Sequence, residues 1–121
     1  MTEIKSVLLI DNNDLDNFIN HKILESHGVT NVTVLKNAVS ALPLLAGSTI
    51  YYQYILVDIQ LPMINGFQFI DKYNELGLNN FHGQICLLSA SINPLDKELA
   101  SERNVRFIEK PLTIEKLLIQ L

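Results

Sequence analysis

Four polar residues stand where short apolar runs stop. Asp11 follows Val7-Leu8-Leu9-Ile10, Asp58 follows Tyr54-Ile55-Leu56-Val57, and Ser89 follows Ile85-Cys86-Leu87-Leu88. Lys110 comes two residues after Val105-Arg106-Phe107-Ile108, between Glu109 and Pro111. If these runs are neighbouring parallel strands, two carboxylates, a hydroxyl and an ammonium meet on one rim of a sheet. Ligands of open α/β sheets bind there, beyond the carboxyl ends of the strands. Oxygen donors of this kind suit a hard cation such as Mg²⁺. A carboxylate beside such a cation, with a lysine and a hydroxyl facing the phosphoryl oxygens, can accept a phosphoryl group.

The elements that must position these residues are legible as an alternation. A fifth apolar run, Val32 to Leu35, lies between the first and third. Helical spacing separates the runs: Leu15, Phe18, Ile19 and Ile23 before Gly28; Ala38, Ala41, Leu42 and Leu45 from a cap at Asn37 to Gly47; Phe69, Ile70, Tyr73 and Leu76 before Gly77. Asn93 and Pro94 have the chemistry of a cap and a first helical residue, and Thr113 caps a stripe of Ile114, Leu117, Leu118 and Leu121. Pro43 lies inside the second helix, where its missing N–H is expected to kink or break it. Strict strand–helix alternation predicts an α/β fold, a parallel five-stranded sheet with helices on both faces. The three wholly apolar runs suit central strands; Val32-Thr33-Val34-Leu35 and Val105-Arg106-Phe107-Ile108 interleave a polar residue and suit the edges.

Composition narrows the rest. The 121 residues are 48% hydrophobic and 18% charged, enough for one domain with a sizeable core and too apolar for a disordered chain. Nine basic residues against thirteen acidic ones give a net charge of −4, with no basic cluster for nucleic acid. The single Cys86 can neither close an internal disulfide nor hold a structural zinc, and within its apolar run it reads as a buried small hydrophobe. His21, His27 and His82 have no metal-ligand spacing and read as surface or packing residues. No apolar stretch reaches the ~18 residues of a membrane span, so a cytoplasmic location is expected.

The ordered set Val7-Leu8-Leu9-Ile10-Asp11, Asp58-Ile59-Gln60-Leu61-Pro62-Met63-Ile64-Asn65-Gly66, Leu88-Ser89-Ala90 and Phe107-Ile108-Glu109-Lys110-Pro111 resembles the receiver domain of two-component response regulators, of the stand-alone chemotaxis type. Separations of 47, 31 and 21 residues between Asp11, Asp58, Ser89 and Lys110 fit that pattern, and the resemblance spans essentially residues 1–121. It implies a flavodoxin-like (βα)5 three-layer sandwich with strand order 2-1-3-4-5. It also implies that Asp58 is the phosphoacceptor, and that Asp11 and the backbone carbonyl of Gln60 join Asp58 around Mg²⁺. Ser89 would hydrogen-bond the phosphoryl group, Lys110 would pair with its charge, and Phe107 would be the aromatic that turns inward on activation. Pro111 would follow a cis peptide. The implied partners are a histidine kinase or phosphotransfer protein as donor, and a downstream protein or a second copy as receiver of the signal. The domain would not be a general enzyme, catalysing only its own phosphorylation and dephosphorylation.

One position departs from the family. A second acidic residue is expected after the first strand, and Asn12 stands there. An amide oxygen can still face a cation but brings no charge, so Mg²⁺ affinity is expected to be weakened. Asp14 falls at the start of the first helix and is expected to favour that helix terminus instead. Asn12 keeps open a pseudo-receiver, a phosphorylation-independent protein-binding module. A more distant alternative is a haloacid-dehalogenase-type phosphatase with Asp11 as nucleophile. The signal is expected to leave through the fourth helix, fifth strand and fifth helix, where Lys97, Glu98, Glu102, Arg103, Arg106 and Glu115 offer mixed charge.

Overall fold

The computed structural model describes residues 3–91 and 93–118. Five strands, β1 (Ser6–Ile10), β2 (Asn31–Leu35), β3 (Tyr54–Asp58), β4 (Gln84–Ser89) and β5 (Arg106–Glu109), form one parallel sheet in the order β2-β1-β3-β4-β5. That is the order the resemblance implies, with β2 and β5 on the edges. Five helices alternate with them: α1 (Asp14–Ser26), α2 (Ala38–Gly47), α3 (Gly66–Glu75), α4 (Pro94–Glu102) and α5 (Ile114–Leu118). Strand bounds move by at most one residue from the apolar runs. Asp58 and Ser89 are therefore the last residues of their strands rather than the first residues beyond them.

The central strands are buried on both faces, and their alternation sorts them into two cores. Leu8, Ile10, Ile55, Val57, Ile85 and Leu87 pack against α2, α3 and α4 through Ala41, Leu45, Phe69, Ile70, Tyr73 and Ala100. Val7, Leu9, Leu56, Cys86, Leu88 and Ile108 pack against Leu24 of α1 and Leu117 of α5. The result is the three-layer sandwich. Burial pushes the Cys86 thiol up to about 11 against a lowering influence of Arg106, as expected for an inert core cysteine.

Local chemistry starts and stops the helices. Asn13, Asn37, Asn65 and Asn93 all cap with their side-chain oxygens, and α3 has the reciprocal Asn65–Gln68 capping box. Thr113 Oγ1 accepts from the Lys116 N–H at 3.1 Å and so caps α5, as its sequence position suggested. Gly28, at φ +87°, turns the chain out of α1 in the left-handed region.

Three expectations fail here. Pro43 does not break α2, which runs from Ala38 to Gly47. Pro43 and Val39, whose carbonyl the missing N–H would have bonded, both face solvent, where water can take that carbonyl. The apolar stripe of α1 points outward: Leu15 is 65% and Phe18 61% exposed, and Ile19 is exposed too, while Asn17, Asn20 and Leu24 face the sheet. Leu76 and Leu118 likewise lie outside the core, and Leu121 falls beyond the described residues. His82, by contrast, is a packing residue. Its Nδ1 accepts from the Tyr52 N–H at 3.3 Å, so Nε2 donates to the Leu45 carbonyl at 3.0 Å, tying α2 to the start of β3.

Candidate functional site

Register brings the rim together. Ile10 pairs with Val57 and Asp58 with Leu88, so Asp11 and Asp58 end adjacent strands at the same level, with Ser89 one residue further along β4. The Lys110 N–H donates to the Ser89 carbonyl at 2.7 Å, which fixes the chain after β5 beside β4. The Lys110–Pro111 peptide is cis, as the resemblance implied. Asp58 and Lys110 line an open cleft of about 720 Å³ that also includes Asn12, Asn13, Asp16, Gln60, Pro62 and Asn65.

Lys110 is the centre of charge. Its Nζ lies 2.9 Å from Asp11 Oδ2, 2.8 Å from Asp16 Oδ2 and 3.6 Å from Asp58 Oδ2. Burial alone would lower its pKa, but Asp16, Asp11 and Asp58 together outweigh that and hold it above the ordinary value. Asp58 is displaced the other way for a carboxylate. Burial first, and the charge of Asp11 second, push its pKa up against the lowering pull of Lys110 and of the Gln60 N–H. Two carboxylates are thus held close together with one ammonium between them.

Asp11, only 2% exposed, has both oxygens engaged: Oδ2 by Lys110, and Oδ1 by the Asn13 N–H at 3.0 Å. Asn12 is exposed at the cleft, and Asp14 is the first residue of α1, paired with Lys36 at 2.6 Å on the outside. Ser89 is buried. Its hydroxyl donates to the Ser91 carbonyl at 2.9 Å and accepts from the Ser91 N–H, so in this state it serves local backbone. Phe107 is half-buried on β5, with Lys97 Nζ 6.0 Å from its ring centre.

Two site residues escaped the sequence reading. Asp16 makes the shortest contact to Lys110, and Asn17 Nδ2 donates to the Asp11 carbonyl at 2.7 Å, holding the β1–α1 turn. The signal for Asp16 was its position one helical turn after Asn12, on a helix that starts at the rim. One residue leaves the expected output face. Arg103 forms a two-pronged bond with Asp71 at 2.9 and 3.0 Å and lies over Phe67, so it belongs to the α3–α4 seam. Arg106 is similarly occupied, its guanidinium donating to the carbonyls of Lys116 and Leu117 in α5.

The donor set fits a magnesium ion. Mg²⁺ typically takes one or two carboxylates and keeps several waters, and Asp11 and Asp58 offer two beside an open cleft with room for those waters. Burial first and the Asp11 charge second raise the Asp58 pKa, and a divalent cation relieves the second of these.

The family model described as the response regulator receiver domain matches residues 7–121. A crystal structure of a two-component response regulator from Cytophaga hutchinsonii superposes with a TM-score of 0.84 at 33% identity, covering 96% of this chain and 92% of that one. Two-component response regulator 24 of Arabidopsis thaliana is 29% identical over 114 residues, 93% of this chain and 78% of the relative. The receiver domain of the histidine kinase CKI1 from Arabidopsis thaliana, crystallised with Mg²⁺ and BeF₃⁻, shares the fold at 18% identity and a TM-score of 0.79, covering 94% and 86% of the two chains. With this fold and this rim, the chain belongs to the response regulator receiver domains of two-component signalling.

Proposed function

We propose that the chain is a phosphorylation-switched signalling domain in which Asp58 accepts the phosphoryl group. The observation that carries this reading is the Asp11–Lys110–Asp58 arrangement, in which Asp58 and Lys110 line an open cleft and Asp11 is buried behind them. A carboxylate oxygen of Asp58 attacks the phosphorus of a phosphohistidine, the P–N bond breaks, and the imidazole leaves with its electron pair. Lys110 and the Ser89 hydroxyl meet the charge of the transferred group. The Asp11 and Asp58 carboxylates, the Asn12 amide oxygen and the Gln60 carbonyl are the groups that would hold Mg²⁺. When bound it supplies positive charge to the phosphoryl oxygens. The CKI1 receiver domain, crystallised with Mg²⁺ and BeF₃⁻, supports this reading by analogy.

The donor is a histidine kinase or a phosphotransfer protein, and the outward stripe of α1 supports where it docks. Leu15, Phe18 and Ile19 are exposed on α1, and Ile19 lines a groove of about 310 Å³ with Asp16, Asn20, Ala90, Lys110, Pro111 and Leu112. Groove and cleft share Asp16, Ala90 and Lys110, so a partner seated on α1 reaches Asp58 directly. Among the described residues no helix is long and apolar enough to cross a membrane, and the reading places the domain in the cytoplasm.

For output, Ser89 leaves Ser91 for the phosphoryl group and vacates space that Phe107 fills from β5. The α4–β5–α5 face, with Lys97, Glu98, Glu102 and Glu115, then changes shape for a protein partner or a second copy. The domain accelerates only its own phosphorylation and dephosphorylation. A phosphatase using Asp11 as nucleophile has little support, because the second acid such an enzyme places two residues on is Asn13 here, which caps α1. The pseudo-receiver reading rests on Asn12 alone. Amide NMR with beryllofluoride and Mg²⁺ separates the two: shifts extending from Ser89 to Lys116 support the switch, and shifts confined to the neighbours of Asp58 overturn it.

A further inference from the structure

We propose that Asp16 is a latch for Lys110, supplying the negative charge that Asn12 lacks and competing with Asp58 for the lysine. The proposal rests on the phosphoacceptor reading above and adds a positioning residue to it. Of the three carboxylates around Nζ, Asp16 is nearest at 2.8 Å and Asp58 farthest at 3.6 Å. At rest the lysine is therefore drawn away from the group it must later neutralise.

Both ends of the bridge are fixed by backbone. The Asp16 N–H is held by Asn13 Oδ1 at 2.9 Å in the first turn of α1, and α1 is tied to the β1 end by Asn17. The Lys110 N–H is held by Ser89. Only the lysine side chain has to move, and it stands with Asp16 on the wall between cleft and groove.

Two effects of opposite sign follow. A cation entering between Asp11 and Asp58 repels Lys110. Asp16 gives the displaced ammonium a partner outside the metal pair and adds attraction of its own. Without that carboxylate, Mg²⁺ binds more weakly. An anion on Asp58 must instead pull Lys110 off Asp16. Without that carboxylate, the pull is unopposed and the anion binds more tightly once Mg²⁺ is saturating.

The test is Asp16→Asn in the full chain, which keeps the side-chain shape and removes the charge. Dissociation constants are read by NMR titration, first for Mg²⁺ alone and then for beryllofluoride at saturating Mg²⁺. The expected result is about fivefold weaker Mg²⁺ binding and about fivefold tighter beryllofluoride binding, the size of one partly exposed ion pair. Asp14→Asn is the control: it removes one charge from the same helical turn but contacts Lys36 rather than Lys110. It is expected to leave both constants within about twofold of wild type. Both constants unchanged in Asp16→Asn, or both moved in one direction, would overturn the latch while a wild type that binds both ligands keeps the phosphoacceptor reading. The same pattern in Asp14→Asn would also overturn it, showing a general field. A wild type that binds neither ligand would overturn the phosphoacceptor reading and the latch together.

Discussion

Replacing Lys110 by methionine keeps the length of the side chain and removes the charge that three carboxylates share. Asp11 is then a buried carboxylate next to Asp58 with no other ion-pair partner among the described residues. Breaking a buried pair by removing one partner costs roughly 3–5 kcal/mol. Here the lysine borders an open cleft and Asp16 is about a third exposed, so water recovers part of that loss. A destabilisation of about 2–3 kcal/mol at pH 7 remains, or roughly 10 °C in melting temperature for a chain of this size. The sign with pH follows from the folded-state shifts. The raised Lys110 pKa means its stabilising contribution is fully present below its ordinary value, and so at pH 7. In the variant the Asp58 pKa, already raised by burial and by Asp11, loses the lowering influence of Lys110. Stability linked to that group is present at low pH and lost as pH rises through the folded pKa. The deficit against wild type should therefore shrink as pH falls from 7 through the raised folded pKa of Asp58, and also on adding Mg²⁺. Urea unfolding followed by circular dichroism measures it, since the chain has no Trp. A deficit under about 0.5 kcal/mol, the scatter of an ordinary surface change, or one indifferent to pH and Mg²⁺, would show that the cleft carboxylates are already screened and refute the reasoning.

Asn12→Asp should tighten Mg²⁺ binding on the order of tenfold by adding a charged oxygen ligand, with lower metal-free stability as three carboxylates crowd one cleft; NMR titration and thermal melts read both. Asp58→Asn should be more stable than wild type at pH 7, with the gap closing as pH falls through the raised folded pKa toward the ordinary carboxylate value, because protonated Asp58 no longer repels Asp11. Gly83→Ala would place a Cβ 2.1 Å from the Gln53 carbonyl oxygen, and Gly66→Ala would place one 2.8 Å from that of Asp58. The first should cost about 3 kcal/mol or more and the second about 1–2 kcal/mol, yet only Gly66→Ala should slow phosphoryl uptake, since only it pushes the strand end that carries the acceptor. Urea unfolding and acetyl phosphate labelling separate the two effects.

The rim was legible because its logic is one-dimensional. An apolar run buried on both faces must end at the rim, and the polar residue after it must face the ligand side. So Asp11, Asp58 and Ser89 could be placed by counting, and Lys110 two residues past the edge run Val105 to Ile108. The outward turn of α1 was not legible, because periodicity reveals an apolar face without saying what covers it. Asn17 faces inward to hold the Asp11 carbonyl, a tertiary bond invisible in the pattern, and Leu15 and Phe18 are left to solvent. Asp16 was missed for a related reason: a first-turn acid reads as a partner of the helix dipole, and its real partner lies 94 residues away in Lys110. Arg103 was assigned to the wrong face because its pairing with Asp71 also joins residues distant in sequence.

The central claim is that Asp58, among four acidic residues clustered at this end of the sheet, carries the phosphoryl group. Peptide mass mapping after incubation with acetyl phosphate and Mg²⁺ tests it most directly. The account predicts a single modified peptide containing Asp58, absent when Mg²⁺ is chelated and absent in Asp58→Asn. Modification at Asp11, Asp14 or Asp16, or persistence in Asp58→Asn at the wild-type rate, would contradict it.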